Sequence, residues 1–294
     1  MVFKNNNSIK LNNNSIKLAF KPQRSLGQNF LSSQEYLNKI VESCLINKNS
    51  RIIEIGPGYG TLTKLLIKES SESIVSIEKD ENLFNWLNTN LSDSSKVDFI
   101  LGDALDIDWE ELIKDKFHSE ENEIIVVGNL PYNISNKLIS NLLEKRHLFK
   151  KLVFLVQKEV GQRWVANPLK YKNKYSNLSV FINYFCDTSL NFEIPKKFFK
   201  PVPEVDGALI CLNLKPNNSI DLEEKKFFSF VKNCFRFRRK TLFNNLKSFW
   251  GDENKINAAF EKLAYDEKIR SQDLFLRDFL LLFNEFSLKT QNIN

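Results

Sequence analysis

The chain has few of the side chains that most often bind metals or form disulfides. Its 294 residues include only two histidines, and the four cysteines, Cys44, Cys186, Cys211 and Cys234, lie far apart without a C-x-x-C pair. This pattern argues against a zinc site and against a disulfide framework, and it favours buried thiols in a reducing cytosol. We therefore expect no metal cofactor.

The sequence also lacks a long apolar run. No stretch approaches the roughly 18 residues of a membrane span, and the N-terminus has neither the apolar core of a signal peptide nor an Arg-rich presequence. We expect a cytoplasmic protein that does not associate with membranes.

Acidic residues are missing from two basic stretches of a chain whose net charge is +6. The first 34 residues contain five basic side chains and no acid, and residues 236–247 contain five more, namely Arg236, Arg238, Arg239, Lys240 and Lys247. A charge run is most often a solvated face. The second stretch, however, follows a predicted helix end and leads into two asparagines, which favours contact with phosphates.

The first 20 residues contain a perfect repeat. The sequence NNNSIKL occupies residues 5–11 and again residues 12–18. The repeat is polar, rich in asparagine and too short for a solenoid. We expect a disordered basic tail over residues 1–20, although its charge is compatible with weak RNA contact.

Strand and helix patterns alternate from residue 51 onward. Four apolar runs predict strands, and a polar residue stands at the end of each: Glu54, Glu78, Asp103 and Asn129. The intervals of 24, 25 and 26 residues each allow one crossover helix. Parallel strands joined by right-handed crossovers bring their carboxyl ends to one edge of the sheet. Acids at strand ends also occur without function, but polar residues at four consecutive strand ends favour a ligand site.

A glycine-rich turn follows the first of these strands, where residues 54–60 read EIGPGYG. A dinucleotide site has G-x-G-x-x-G, whereas here the third glycine comes one place early and Glu54 precedes the first. This favours an S-adenosylmethionine site over an NAD site, and the NAD fold is the alternative. Glu78 suits the ribose of either cofactor, and Asp103 can accept a hydrogen bond from an adenine amine.

A strand–turn motif at residues 128–135 reads GNLPYNIS. The Asn129 side chain and the Leu130 carbonyl can both accept hydrogen bonds from an exocyclic amine, and Tyr132 can stack on a base. A proline-rich loop at residues 195–203 contains two adjacent aromatic residues, of which the second is Phe199. These rings either pack into the core as hydrophobic residues of the loop or form a stacking face opposite Tyr132.

The remaining pattern predicts a strand at 151–157, a helix at 158–165, strands at 178–182 and 208–212, and a linker at 215–219. Helical spacing with phenylalanine-rich apolar stripes continues to the C-terminus. We expect these stripes to form the core of a second, smaller domain.

Taken together, these motifs resemble those of the small-subunit ribosomal RNA adenine N6,N6-dimethyltransferases. The resemblance extends over residues 22–282 and rests on motifs in the family's order: LGQNFL at 26–31, EIGPGYG at 54–60, GDAL at 102–105, GNLPYNIS at 128–135, QKEV at 157–160, LSV at 178–180, the loop at 199–206 and FRRKTL at 237–242. Ser176 and Asn177 stand where relatives often have a glycine.

The resemblance implies an α/β fold of class I S-adenosylmethionine-dependent methyltransferases, a Rossmann-like sheet over residues 21–215, with a small all-helical rRNA-binding domain over residues 216–294. It implies a catalytic set of Asn129, Leu130, Tyr132 and Phe199. It also implies a donor-binding set: Gln28, Asn29, Leu31, Glu54, Gly56, Gly58, Glu78, Asp103, Ala104 and Asn129. Arg236, Arg238, Arg239 and Lys240 would contact RNA.

The activity implied by the resemblance is dimethylation of N6 on two adjacent adenosines near the 3′ end of 16S rRNA, by a monomer with a role in small-subunit biogenesis. Three alternatives are a 23S rRNA adenine dimethylase of the macrolide-resistance type, a non-catalytic ribosome-assembly factor and a DNA adenine methyltransferase. Leu130 and the FRRK run favour the small-subunit type. The DNA enzymes usually have a (D/N)PPY motif and a target-recognition insertion, which this sequence lacks.

Overall fold

The computed structural model describes residues 21–23, 26–70, 73–91, 95–117, 123–131, 133–216 and 222–287. The repeated tail, and with it the prediction of disorder there, lies outside these residues. The chain divides into two compact units. The first comprises Met1–Lys158 and Leu190–Leu214, and the second comprises Glu159–Ser189 and Lys215–Asn294.

Nine strands form two sheets in the described part of the chain. They are β1 (Phe30–Leu31), β2 (Arg51–Ile55), β3 (Ile74–Glu78), β4 (Val97–Leu101), β5 (Ile124–Asn129), β6 (Lys151–Gln157), β7 (Cys186–Ile194), β8 (Phe199–Lys200) and β9 (Gly207–Leu214). The main sheet has the order β4-β3-β2-β5-β6-β9-β7, in which β9 runs antiparallel to β6, and β1 pairs with β8 in a separate two-stranded sheet.

The helices follow in chain order: α1 (Gln34–Cys44), α2 (Thr61–Glu69), α3 (Glu81–Leu91), α4 (Trp109–Phe117), α5 (Ser135–Glu144), α6 (Lys158–Trp164), α7 (Asn177–Phe185), α8 (Leu222–Cys234), α9 (Leu242–Trp250), α10 (Glu253–Lys262) and α11 (Leu276–Ser287). None of those in the described residues has the length and apolar character needed to cross a membrane.

The sheet forms because its inner strands are apolar on both faces, as parallel strands covered by helices require. Every residue of β3 is buried, and so are the first five residues of β5. Helix α1 covers one face through Leu37, Ile40, Val41 and Cys44, and the Ser33 side chain caps its first turn. The four strands whose ends were predicted from the sequence are confirmed as β2, β3, β4 and β5.

The strand order reverses direction between β2 and β5, which places the ligand site. The chain moves outward from β2 to β3 and β4, and then returns to the other side of β2 as β5. Ligands of doubly wound sheets bind outside the carboxyl ends of strands at such a switch point. Gly128 allows the two strands to approach closely there, since a Cβ atom on it would lie 2.5 Å from the Ile55 carbonyl oxygen.

The second unit has its own core of aromatic and aliphatic side chains. Phe227, Phe230, Leu246, Phe279 and Phe283 are among its buried members. The helices expected from the phenylalanine-rich stripes are present as α8, α9, α10 and α11. The stripes are therefore core, as the spacing predicts.

The prediction of a strand at residues 178–182 is wrong, because the structure has helix α7 there. The segment is apolar and rich in residues that suit strands, but a reciprocal capping box between Ser176 and Ser179 starts a helix one residue earlier. The sequence reading also missed β7, whose burial alternates along the strand. Residues 159–189 were predicted within the methyltransferase domain, and they group instead with the C-terminal helices.

Candidate active site

A cleft of about 890 Å³ lies at the carboxyl ends of β2, β3, β4 and β5. Of the residues predicted from the sequence to bind or react, nine line it: Gln28, Asn29, Gly56, Gly58, Glu78, Asp103, Ala104, Asn129 and Leu130. The structure therefore brings together residues that are up to about a hundred positions apart in the chain.

The Glu78 carboxylate is fixed at the end of β3 by two backbone amides. Its Oε2 accepts a hydrogen bond from Gly58 N at 3.1 Å, and its Oε1 accepts one from Asp80 N at 2.9 Å. Burial raises the pKa of Glu78 above the usual value, and the two amides oppose that rise. The result is an oriented acceptor in the cleft that suits a pair of vicinal hydroxyls.

The Gly58 turn requires glycine for two reasons. Its backbone has φ of +59°, and a Cβ atom there would lie 2.8 Å from the Phe30 ring. The phenylalanine occupies the space that a side chain would take, so the turn presents backbone to the cleft. The same glycine also donates the amide that holds Glu78.

Asp103 lies at the far side of the cleft and is paired with Lys79. The Lys79 ammonium is 2.6 Å from Asp103 Oδ2, and Leu105 N donates to Oδ1 at 2.9 Å. Partial burial acts to raise the pKa of Asp103, but the lysine and the amide outweigh it, so the pKa is lowered. The carboxylate is therefore ionised and able to accept a further hydrogen bond.

Asn129 ends β5 with its carboxamide fixed in one orientation. Asn129 Nδ2 donates to the Asn29 carbonyl oxygen at 2.6 Å, which leaves Oδ1 as the acceptor that can serve a bound molecule. The adjoining Leu130 is 2% exposed, and its N–H donates to Leu155 O on β6 at 2.9 Å. The peptide that follows Asn129 is thus anchored to the sheet.

The N-terminal loop at the cleft is held by Asp80, which the sequence reading did not select. Asp80 Oδ2 accepts from Gln28 Nε2 at 2.7 Å and from Gln23 Nε2 at 3.0 Å. Gln28 Oε1 in turn accepts from the Gln23 amide at 2.8 Å. Asp80 is 5% exposed, so this carboxylate is a structural acceptor for the loop. The only signal in the sequence was its position two residues after Glu78.

Glu54 and Leu31, which were predicted to bind the methyl donor, do not line the cleft. Glu54 is 1% exposed, and its Oε2 accepts from the Thr63 hydroxyl at 2.6 Å and the Ser76 hydroxyl at 2.8 Å. Burial raises the pKa of Glu54 to about 7, against the two hydroxyls, which lower it. Leu31 is buried in the core, and both residues line a second cavity of about 450 Å³ that Asn129 also borders.

The two predicted stacking aromatics have different outcomes. Tyr132 lies outside the described residues. Phe199 is 3% exposed in the core of the first unit, because β8 pairs with β1 and sets Phe199 opposite Leu31. Its ring lies against Gly207, where a Cβ atom would be 3.0 Å away. In this arrangement Phe199 does not line the cleft.

The predicted RNA-binding residues lie in the second unit, on a loop between α8 and α9. Arg236 and Lys240 lie over the Phe237 ring, with charge-to-centroid distances of 5.3 Å and 4.7 Å. The buried Asn245 side chain holds the loop by accepting from Phe237 N at 2.9 Å and donating to Phe237 O at 3.1 Å. The loop therefore presents an exposed aromatic ring with two cations close to it.

Comparisons with known proteins show the family of the chain. A family model described as "Ribosomal RNA adenine dimethylase" matches residues 19–287. The chain belongs to the ribosomal RNA adenine dimethylase family. It is 36% identical to the ribosomal RNA small subunit methyltransferase A of Mesoplasma florum over 90% of this chain and 97% of that protein. It is 38% identical to the proteins of the same name from Clostridium botulinum and Mycoplasmopsis pulmonis, again over 90% of this chain.

Solved structures agree on the fold of this adenine dimethylase. A dimethyladenosine transferase from Plasmodium falciparum is similar with a TM-score of 0.72 and 24% identity, covering 88% of this chain and 98% of that one. A 23S rRNA methyltransferase is similar with a TM-score of 0.67 and 20% identity, covering 87% and 98%. The predicted fold, a class I methyltransferase sheet with helices at the C-terminal end, is confirmed.

The cleft of the adenine dimethylase fits the methyl donor of class I enzymes, S-adenosylmethionine. The glycine turn has no side chain at Gly56 and Gly58, so the methionine portion can approach its backbone closely, while Glu78 suits the ribose and Asp103 suits the adenine amine. Both carboxylates are already oriented by backbone amides. Among the described residues, no group of three or more His, Cys, Asp or Glu side chains lies together in a way that could hold a metal ion.

Proposed function

We propose that this adenine dimethylase methylates N6 of two adjacent adenosines near the 3′ end of 16S rRNA, producing N6,N6-dimethyladenosine, and that it takes part in small-subunit biogenesis. The observation that carries the proposal is the fixed Asn129 carboxamide beside the donor cleft. The names of the relatives, which specify the small subunit, support 16S rRNA as the substrate.

S-adenosylmethionine, when bound, supplies an electrophilic methyl group on a sulfonium. Glu78 would hold the donor's ribose, and Asp103 with Ala104 would hold its adenine. Gly56, Gly58 and the loop that contains Gln28 and Asn29 would enclose the methionine portion. Of the other predicted donor residues, Leu31 and Glu54 would act from beneath the cleft, by supporting the glycine turn and the loop.

The adenine amine is a poor nucleophile because its lone pair is delocalised into the ring. Asn129 Oδ1 and the Leu130 carbonyl would each accept one N–H of this amine, which favours a tetrahedral nitrogen with its lone pair directed at the methyl group. The new N–C bond forms as the S–C bond breaks, and the surplus proton leaves to water. A neutral carboxamide is not a general base, so catalysis here is positioning and electrostatic stabilisation.

Stacking would hold the base once it has left the RNA helix, at about 1–3 kcal/mol per base. Tyr132 is the proposed stacking residue, because it is the next residue in the sequence after Pro131, which lines the cleft. Phe199 is the second residue of the proposal. Because its ring is buried and β8 is paired with β1, it would stack only if β8 separated from β1 when RNA binds.

Contact with the rRNA backbone is assigned to the loop at residues 236–240. The side chains of Arg236, Arg239 and Lys240 are exposed and would contact phosphates. Arg238 differs, because its guanidinium donates to the backbone carbonyl oxygens of Tyr175 and Asn173. Its contribution to RNA binding would come at least partly through those contacts.

The decisive experiment is methyl transfer from labelled S-adenosylmethionine to three substrates. These are under-methylated small subunits, naked small-subunit rRNA and large subunits, with the product nucleoside identified by mass spectrometry. N6,N6-dimethyladenosine in small-subunit rRNA alone would support the proposal, and comparison of the first two substrates would show whether a preassembled particle is needed.

Two other outcomes would replace the proposal. Label in large-subunit rRNA would indicate a 23S rRNA dimethylase, and RNA binding without any label would indicate an assembly factor. The cytoplasmic location and the monomeric state expected from the sequence stay predictions, to be checked by fractionation and by light scattering.

A further inference from the structure

A second basic loop of the C-terminal unit, residues 167–175, lies between α6 and α7. From Val160 to Cys186 the chain has no acidic residue, and it has four basic ones: Arg163, Lys170, Lys172 and Lys174. This stretch was not selected from the sequence, because its lysines are separated by single uncharged residues and no continuous charge run forms. The structure shows Lys170 and Lys172 exposed on this loop.

The loop is built as a defined structure by its own hydrogen bonds. Asn167 and Lys170 exchange two backbone hydrogen bonds, and Asn167 Oδ1 also accepts from Leu169 N and Lys170 N at 2.9 Å each. The turn projects Leu169, which is 86% exposed. The far end is anchored by Tyr175, whose buried ring packs edge-on against Phe235 at 5.6 Å.

Arg238 connects this loop to the basic loop at residues 236–240. Its Nη1 donates to Tyr175 O at 3.0 Å, and its Nη2 donates to Asn173 O at 2.6 Å. Carbonyl oxygens satisfy the guanidinium's donors without cancelling its charge, so the junction between the two loops keeps a positive charge. The planar fork of an arginine suits this two-point contact, and a lysine cannot reproduce it.

The charges on the two loops do not cancel. Lys172 is paired with Asp273, and Lys174 lies 3.1 Å from Glu159. The two loops together have seven basic side chains, and two of these pair with carboxylates in the described part of the chain. The seven are Lys170, Lys172, Lys174, Arg236, Arg238, Arg239 and Lys240. Such an excess on preformed loops suits a phosphate backbone, since little ordering of the protein is needed on binding.

We propose that the loops at residues 167–175 and 236–240 form one binding surface for the sugar–phosphate backbone of RNA. Lys170 and Lys172 contact phosphates, and Arg238 is a positioning residue that fixes one loop against the other. The proposal rests on the rRNA-directed function above, and it extends the RNA contacts to a loop that precedes α7.

The test measures binding of the full-length protein to naked small-subunit rRNA as a function of KCl concentration. The slope of log K against log[KCl] is negative, and each lost phosphate contact reduces its magnitude by about 0.7–0.9. K170Q/K172Q should therefore reduce the magnitude of the slope by about 1.4–1.8. K225Q, which removes an exposed lysine of α8, is the matched control and should leave it unchanged. A K170Q/K172Q slope equal to that of K225Q would overturn the proposal.

The role of Arg238 is separated from its charge by comparing R238K with R238Q. If Arg238 positions the loop, R238K should lose slope and affinity as R238Q does, although it keeps the charge. Wild-type behaviour of R238K would refute the positioning role. Methyl transfer by the wild-type protein to small-subunit RNA is measured in parallel. Its absence would refute the proposed function, whereas a normal rate with unaltered K170Q/K172Q binding would refute only the two-loop surface.

Discussion

The carboxamide of Asn129 is oriented by the backbone of Asn29, to which it donates a hydrogen bond of 2.6 Å across a hundred residues of sequence. The side chain that would accept a hydrogen bond from the target amine is therefore held by the same loop that lines the donor cleft. Donor binding and positioning of the amine share one structural element. Any change that displaces the loop should affect both.

Replacing Asn129 with Ala should reduce methyl transfer by about 10²–10³-fold or more, because an oriented hydrogen-bonding group in the transition state is lost. Binding of S-adenosylmethionine should stay nearly unchanged, since Glu78 and Asp103 are intact and Asp80 still holds the loop through Gln28. Transfer is measured with labelled donor and binding by calorimetry. N88A is the control, because the exposed Asn88 amide donates to Phe84 O within its own helix, away from the cleft lining. Full activity of N129A would contradict the proposed mechanism.

Replacing Asp80 with Asn should weaken donor binding by about tenfold. The carboxylate accepts from both Gln23 and Gln28, and hydrogen bonds to charged groups contribute about 1.5–3 kcal/mol. The affinity for S-adenosylmethionine, measured by calorimetry, reports the loss. Asp98→Asn removes an exposed ion pair with Lys116 and should have little effect. Equal donor affinities of the two variants would mean that the loop does not depend on Asp80.

Replacing Glu54 with Gln should change how the free energy of unfolding depends on pH. The folded-state pKa is raised to about 7, so between the unfolded value of about 4.5 and pH 7 the folded state binds more protons. Wild-type stability should therefore fall across this window relative to E54Q, by an amount on the order of 3 kcal/mol, and should level off at about pH 8.

Urea unfolding of wild type and E54Q at pH 5, 6, 7 and 8 measures this difference. The exposed Glu111, changed to Gln in the same way, supplies the control and should run parallel to wild type. If the wild-type and E54Q curves ran parallel from pH 5 to 8, the carboxyl of Glu54 would not titrate there.

Replacing Gly128 with Ala should destabilise the protein by about 1–3 kcal/mol or more, as overpacking does. The added Cβ would lie 2.5 Å from Ile55 O, so β2 and β5 must separate where the cleft begins. Donor affinity should fall together with the melting temperature. Gly251, with φ of +74° and nothing within 4 Å of an added Cβ, is the matched comparison. Its change to Ala should lower the melting temperature by backbone strain alone and leave donor affinity intact.

The sequence predicts the part of the fold that repeats a simple pattern. Apolar strands, crossover helices and polar strand ends specify the sheet and its switch point, and Glu78, Asp103 and Asn129 meet there as expected. The spacing of apolar residues cannot distinguish a strand from a helix where a segment is short and apolar throughout. Residues 178–182 suit a strand and a helix equally, and the capping contact at Ser176 decides between them.

Contacts that join distant segments were not predictable from local pattern. Asp80 resembles any acid before a helix until Gln23 and Gln28 are placed beside it. Arg238 belongs to a basic run, yet its partners lie 63 and 65 residues earlier. Which of two adjacent phenylalanines turns inward depends on the pairing of β8 with β1, and this pairing buries Phe199.

The chain crosses between its two units three times, after Lys158, after Ser189 and after Leu214. Helix α7 precedes the last strand of the sheet in sequence, yet its rings pack on α8, with Phe181 4.8 Å from Phe228. A fragment that ends at Leu214 would keep every strand but leave this aromatic face uncovered and prone to aggregation. The helical unit therefore cannot be removed, exchanged or grafted by a single cut.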